Sequence, residues 1–185
     1  ASMAQWNLAR LAECLMLLEG DKEDYEGALE RFPSRFEEEY FALMRGKLGL
    51  TSREESDNEL VTAWLQHLQD HQLDYTRSFR QLADRVSGEE SPLFGEFETR
   101  WLTRIDNQPG GRQQAADQMA RVNPVVIPRN HQVERAIRAA FEGDFSVFHE
   151  LRRVLAEPFI RQEGLGHYSE PPRAHERVEM TFCGT

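Results

Sequence analysis

An all-α fold is predicted for this chain on three grounds. Apolar side chains recur at helical spacing in one segment after another, the cleanest case being Val133, Ala136, Ile137, Ala140 and Phe141 at i, i+3, i+4, i+7 and i+8. The alternation that a half-buried strand requires is confined to one possible short run, residues 178–182. Glycine, proline and asparagine gather between the periodic segments, and NQPGG at residues 107–111 is the strongest turn signal of all.

The first helix is expected over residues 4–19, with Trp6, Leu8, Leu11, Ala12, Cys14, Leu15, Met16, Leu17 and Leu18 running nearly all the way round it. A helix of that character is normally buried on several sides. The chain begins only a few residues earlier, so this reading expects a piece of a longer protein, with the face carrying some of Trp6, Leu8, Leu11 and Leu15 left exposed, or hidden by self-association or by a rearranged tail. Cys14 is expected to behave as a small buried hydrophobe. The acidic stretch 21–30 places Tyr25, Ala28 and Leu29 at helical spacing, and Pro33-Ser34 then opens a new helix. Ser34 with Glu37 reads as a capping box, worth on the order of 1 kcal/mol for the cap alone. This helix should bury Phe36, Tyr40, Phe41, Leu43, Met44 and Leu48 and end at Gly49.

Ser52 with Glu55 and Ser56 with Glu59 are alternative boxes for a helix carrying Leu60, Val61, Trp64, Leu65 and Leu68. A further helix follows from about Asp74, which reads as an N-cap before a core aromatic, Tyr75; Phe79, Leu82, Ala83 and Val86 lie on its inner face. Residues 93–105 carry Phe94, Phe97, Trp101, Leu102 and Ile105, and 113–122 stop before Asn123-Pro124. The last pair of helices covers Asn130–Phe141 and residues 144–156, the second offering Val147, Phe148, Leu151, Val154 and Leu155. Residues 157–185 lack periodicity and should form a tail on the bundle surface.

At 185 residues the chain is long enough to bury roughly 70% of its unfolded surface. Its 32 acidic against 22 basic residues give a net charge of −10, which disfavours a phosphate-tracking groove, so nucleic acid is excluded as a partner. Lysine occurs only at Lys22 and Lys47, and the abundant arginine suits fixed pairing with carboxylates. No apolar run reaches the ~20 residues of a membrane span, and nothing resembles a signal peptide, so no membrane association is expected. Two distant cysteines, Cys14 and Cys183, do not form a secreted disulfide framework, and a reducing cytoplasm is the expected location.

Several residue groups could carry chemistry, each beside a plainer reading. His67 and His71, with Asp70 and Asp74, have a spacing that can bind a metal, but no third ligand is evident and a solvated polar face is favoured; no metal site is assigned. The acidic clusters lack the glycine and alternating oxygens of a calcium loop. Arg129 and Asn130 follow Pro128 at a helix entry and are a candidate anion site; the plainer reading pairs the arginine with a carboxylate and uses the asparagine as a cap. Lys47 reads as a complement to a helix C-terminal dipole. No catalytic triad can be assembled.

Taken in order, Trp6-Asn7-Leu8, Arg10-Leu11-Ala12, Met44-Arg45, Lys47-Leu48-Gly49-Leu50, Asp74-Tyr75-Thr76, Phe79-Arg80, Asn123-Pro124, Arg129-Asn130, Gly143-Asp144, Pro158-Phe159 and Cys183 make the chain similar to the C-terminal portion of the selenoprotein O family of pseudokinase-like protein adenylyltransferases. Gly46, where an alanine is usual, and His131 depart from the commoner pattern. The resemblance implies a multi-helix bundle forming the lower part of a kinase-like C-lobe over residues 1–156, with an extended tail over 157–185. It implies transfer of AMP from ATP to protein hydroxyl groups with Mg or Mn, protein substrates, and an upstream kinase-like part of the same chain as partner. On that reading the catalytic, cofactor-binding and metal residues lie upstream, none falls in this segment, and the isolated segment is inactive. Cys183 matches a position linked in the family to redox control through an upstream cysteine, and is therefore a candidate redox thiol. The alternative, from a different class, is a free-standing helical interaction module whose first helix docks a partner.

Overall fold

The computed structural model describes residues 2–18, 20–89 and 93–178, so Cys183 and most of the possible strand at 178–182 lie outside the described residues. Among the described residues there are eight α-helices, two single 3-10 turns and no strand, which is the all-α class. The chain divides into two units, residues 1–45 and 46–185.

In the first unit, α1 spans Ser2–Leu15 and α2 spans Lys22–Lys47. Of α1 only Ala12 is buried; Trp6 is 61% and Leu11 52% exposed, and Leu8 and Leu15 are also exposed. Cys14 is exposed as well, contrary to expectation, because it lies on a helix whose apolar sides are largely uncovered. The break expected at Pro33 is absent: α2 runs straight through it. A proline at this position removes the donor that would bond the carbonyl four residues earlier, at Leu29. That carbonyl accepts instead from Gln5 Nε2 of α1 at 3.1 Å. The Ser34 hydroxyl donates back to the Arg31 carbonyl at 3.1 Å, so it acts inside a helix and not as a cap. Phe36, Tyr40 and Leu43, expected in the core, are exposed; Phe32, Phe36 and Tyr40 line up along one side of α2 with ring centroids 5.8 and 6.3 Å apart.

The second unit contains α3 (Asp57–Asp70), α4 (Tyr75–Ser87), α5 (Gly95–Asp106), α6 (Gly111–Val122), α7 (Asn130–Phe141) and α8 (Ser146–Ala156). Helices α3 to α6 form one packed group, with α4 against α6 and α5 against both α3 and α6. Its centre is aromatic: Trp64 is fully buried, with Phe94 edge-on at 5.2 Å, Phe79 edge-on at 5.8 Å and Phe97 tilted at 4.8 Å. Such aromatic pairs contribute about 0.5–1.5 kcal/mol each beyond their buried area. Trp101 is also fully buried and donates Nε1–H to the Leu48 carbonyl at 2.8 Å. Tyr75 is exposed, so the core aromatic of α4 is Phe79, one turn on, and not the residue beside the cap.

Neither capping box expected for α3 forms. Ser56 makes no side-chain cap bond, and Asp57 Oδ2 accepts from the Glu54 backbone N–H at 2.8 Å. Asp57 is drawn inward because Arg104 of α5 reaches it, Nε to Oδ1 at 2.8 Å and Nη2 to Oδ2 at 3.3 Å. Arg104 also donates to the Ser52 carbonyl at 2.8 Å. Gln108 completes the arrangement, donating to the Gly49 carbonyl at 2.8 Å and accepting from the Thr51 N–H at 2.9 Å. Buried side chains from α5 and its end thus satisfy the backbone of the 49–57 connection, as buried polar groups must be satisfied.

Helices α7 and α8 pair over a smaller core of Val126, Ala136, Leu151, Val154 and Tyr168. Ile137, Phe141 and Phe148, placed on the inner faces by periodicity, are exposed. The tail is more than a surface strap. Its 3-10 turn at Gly166–Tyr168 buries the Tyr168 ring, whose hydroxyl donates to Glu150 Oε1 at 2.7 Å and accepts from Arg135 Nη2 at 2.9 Å. The Pro158 carbonyl accepts from the Val125 and Val126 amides at 2.7 and 3.2 Å, fixing the connection into α7.

Candidate functional site

The entry to α7 is a polar junction connecting three distant segments. Arg129 precedes the helix in an extended conformation, as the residue after Pro128 can adopt, and Asn130 is the first helical residue. Arg129 is buried, and its two terminal nitrogens meet the Asp74 carboxylate as a fork, Nη1 to Oδ2 at 2.8 Å and Nη2 to Oδ1 at 2.9 Å. Nη2 also donates to the Ser169 carbonyl at 2.9 Å, while Nε has no hydrogen-bond partner. Asp74 simultaneously caps α4, accepting from the Arg77 N–H at 2.8 Å. The Arg129 hydrogen bonds hold the Asp74 carboxyl below its usual pKa, burial opposing and the Arg77 amide assisting. One arginine therefore ties together the start of α4, the start of α7 and the tail, with Asp74 as the anion that its fork receives.

His131 follows on α7; burial lowers its pKa, Glu176 opposes, and Arg129 and Arg135 assist. His67 and His71 stand on one face of α3 with ring centroids 4.2 Å apart, and His67 also stacks on Trp64 at 5.6 Å. Burial and the neighbouring His71 lower the His67 pKa, Asp70 opposing. Among the described residues no three His, Cys, Asp or Glu side chains come together to hold a metal ion. No helix among them is long and apolar enough to cross a membrane.

Lys47 does more than complement a dipole. Its ammonium donates to Asn123 Oδ1 at 3.2 Å and lies 5.1 Å from the Phe79 ring centroid and 5.7 Å from that of Tyr75. Burial lowers its pKa. Asn123, fully buried, returns a hydrogen bond from Nδ2 to the Lys47 carbonyl at 2.8 Å. Asn123 was legible only as a helix stop, because its partner lies 76 residues away.

The family model described as protein adenylyltransferase SelO matches residues 1–156. This chain belongs to the SelO family. Curated relatives carry the name protein nucleotidyltransferase YdiU: that of Rhizobium leguminosarum bv. trifolii is 41% identical over 202 aligned residues, which take in 99% of this chain and 40% of the relative. Those of Geobacillus kaustophilus and Nitrosococcus oceani are 38% and 41% identical, with 97% and 99% of this chain matched to 39% of each relative. The chain thus spans about two fifths of the length of these SelO-family relatives. Several residues at the junctions above, Asp74, Lys47, Asn123 and Arg129, are ones on which the resemblance rested.

Proposed function

We propose that this chain is the C-terminal helical scaffold of a protein adenylyltransferase that transfers AMP from ATP to hydroxyl side chains of proteins. In that reaction the hydroxyl oxygen bonds to the α-phosphorus, the bond to the β-phosphate oxygen breaks, pyrophosphate leaves, and the hydroxyl proton passes to a base. Mg or Mn would accompany the nucleotide, but the described residues do not fit that role, since no set of acidic or imidazole donors converges, and no step is routed through them. The upstream part of the protein is the natural source of the nucleotide, metal and catalytic groups.

The observation carrying this reading is that a family match over residues 1–156, to relatives named nucleotidyltransferases, coincides with junctions in which charged side chains pair with one another, as Arg129 does with Asp74. The test is transfer of label from ATP labelled at the α-phosphate onto a protein acceptor, by the 185-residue chain and by the complete protein. Transfer by the complete protein alone is expected. Robust transfer by the chain alone, or none by the complete protein, overturns the reading.

A second reading, a helical interaction module, is favoured by the exposed Trp6 and Leu11 of α1. It predicts an upstream sequence without a glycine-containing loop, a lysine and an Asn and Asp metal pair. For Cys183 we propose a regulatory thiol that acts by thiol–disulfide exchange. Mass spectrometry of the complete protein after mild oxidation should find a disulfide at Cys183; its absence, with activity unchanged, counts against that role.

A further inference from the structure

A cleft of about 460 Å³ in the second unit lies between α4, the connection into α7 and the 161–170 segment, beside the Arg129–Asp74 junction with which it shares Arg77 and Ser169. We propose that it binds a small organic anion, with a compact phosphate or carboxylate head and a short apolar body.

The head is selected by arginine. Arg77, Arg80 and Arg161 line the cleft with two carboxylates, Asp84 and Glu170, and Glu89 stands 3.7 Å from Arg161. Arg80 is the decisive residue. Its Nε and Nη1 are buried without a hydrogen-bond partner, and its ion pair to Asp84 is long, 3.7 Å. The Asp84 carboxylate is committed elsewhere, accepting from Arg161 Nη2 at 2.5 Å. A guanidinium held with donors unmet is costly, and an anion in the cleft supplies countercharge that offsets part of that cost. Burial lowers the Arg80 pKa from its ordinary value, with Asp84 and Glu89 opposing and Arg161 assisting. The body is selected by the half-buried Val125 and Leu165, backed by the buried Val126 and Val154. Gly164 and Gly166 leave open space where side chains would stand. A few converging charged groups against an apolar wall are the usual composition of a small-molecule site.

The probes are phenyl phosphate, which has both head and body, and inorganic phosphate, which has the head alone. Both are titrated calorimetrically into the complete protein at saturating ATP, so that a nucleotide site elsewhere does not report. Saturable binding is expected, with phenyl phosphate tighter by about tenfold, the gain from burying one small apolar group. Arg80→Gln should weaken it by about tenfold or more, the loss of a charge-assisted contact. Gly166→Leu adds a side chain into open space on a backbone without positive φ, and should block binding while leaving every arginine in place. Arg112→Gln, whose exposed guanidinium pairs with Asp106, should change nothing. If Arg80→Gln does not fold, Gly166→Leu decides. No saturable binding, equal affinity for the two probes, or affinity unmoved by Gly166→Leu overturns the proposal.

Discussion

At the scale of single residues, stability in the second unit rests on polar side chains that meet across long sequence separations. Asp57 is fully buried against Arg104, and removing one partner strands the other. Asp57→Ala should therefore cost about 3–5 kcal/mol in urea unfolding, and replacing both with apolar residues should cost much less than the sum. Asp74 sets an acid dependence. Its folded pKa is depressed, so its contribution is present above the ordinary carboxylate value of about 3.9 and is lost as pH falls through the folded value. Urea midpoints taken from neutral pH downward should fall less steeply for Asp74→Asn than for the parent. His67 acts in the same direction at higher pH: its folded pKa is depressed, so the unfolded chain takes up the proton first and stability declines once pH drops below about 6.5. His67→Gln should flatten that part of the curve. Asp74 was legible as a cap because the donor it accepts from, the Arg77 N–H, lies three residues on; its fork with Arg129, 55 residues away, was one of two open readings. Arg104 gave no local signal at all.

At the scale of elements, helical periodicity placed all six helices of the second unit within a few residues, and the misreadings came from helix starts. Proline and Ser-x-x-Glu patterns describe what a helix start can use, but a neighbouring chain can supply the same hydrogen bonds. Gln5 does so for Leu29 beneath Pro33. Gln5→Ala should cost about 1 kcal/mol in the parent, where it leaves that carbonyl unpaired, and close to nothing in a Pro33→Ala background, where the helix restores its own donor. A double-mutant cycle in urea measures the difference. Gly49 ends α2 at a φ of +73°, and a Cβ there would stand 3.0 Å from Ala115 Cβ and 3.1 Å from the Ala115 carbonyl oxygen. Gly49→Ala should therefore destabilise by about 2 kcal/mol, backbone strain and crowding acting together. The glycine as a stop was legible; the reason α6 demands it was not, because that contact joins residues 66 positions apart in the chain.

At the scale of the whole molecule, amphipathic reading overestimated burial wherever a helix is apolar on more than one side. For helix α1, exposure of some of Trp6, Leu8, Leu11 and Leu15 was one of the expected outcomes, and all four are exposed; Phe141 and Phe148 were expected inside and are not. Apolar side chains so displayed should make the isolated chain self-associate with rising concentration, seen by sedimentation velocity, and Trp6→Glu with Leu11→Glu should reduce it. The scarcity of lysine has a use that follows from the clasp of Asn123 on Lys47. A lysine-specific protease has two places to cut, after the exposed Lys22 and after Lys47, whose following residue, Leu48, is wholly enclosed. Digestion under folding conditions should thus release one early fragment, while the second scission waits on opening of the helical core. Its rate in dilute denaturant becomes a built-in clock for how often that core comes apart.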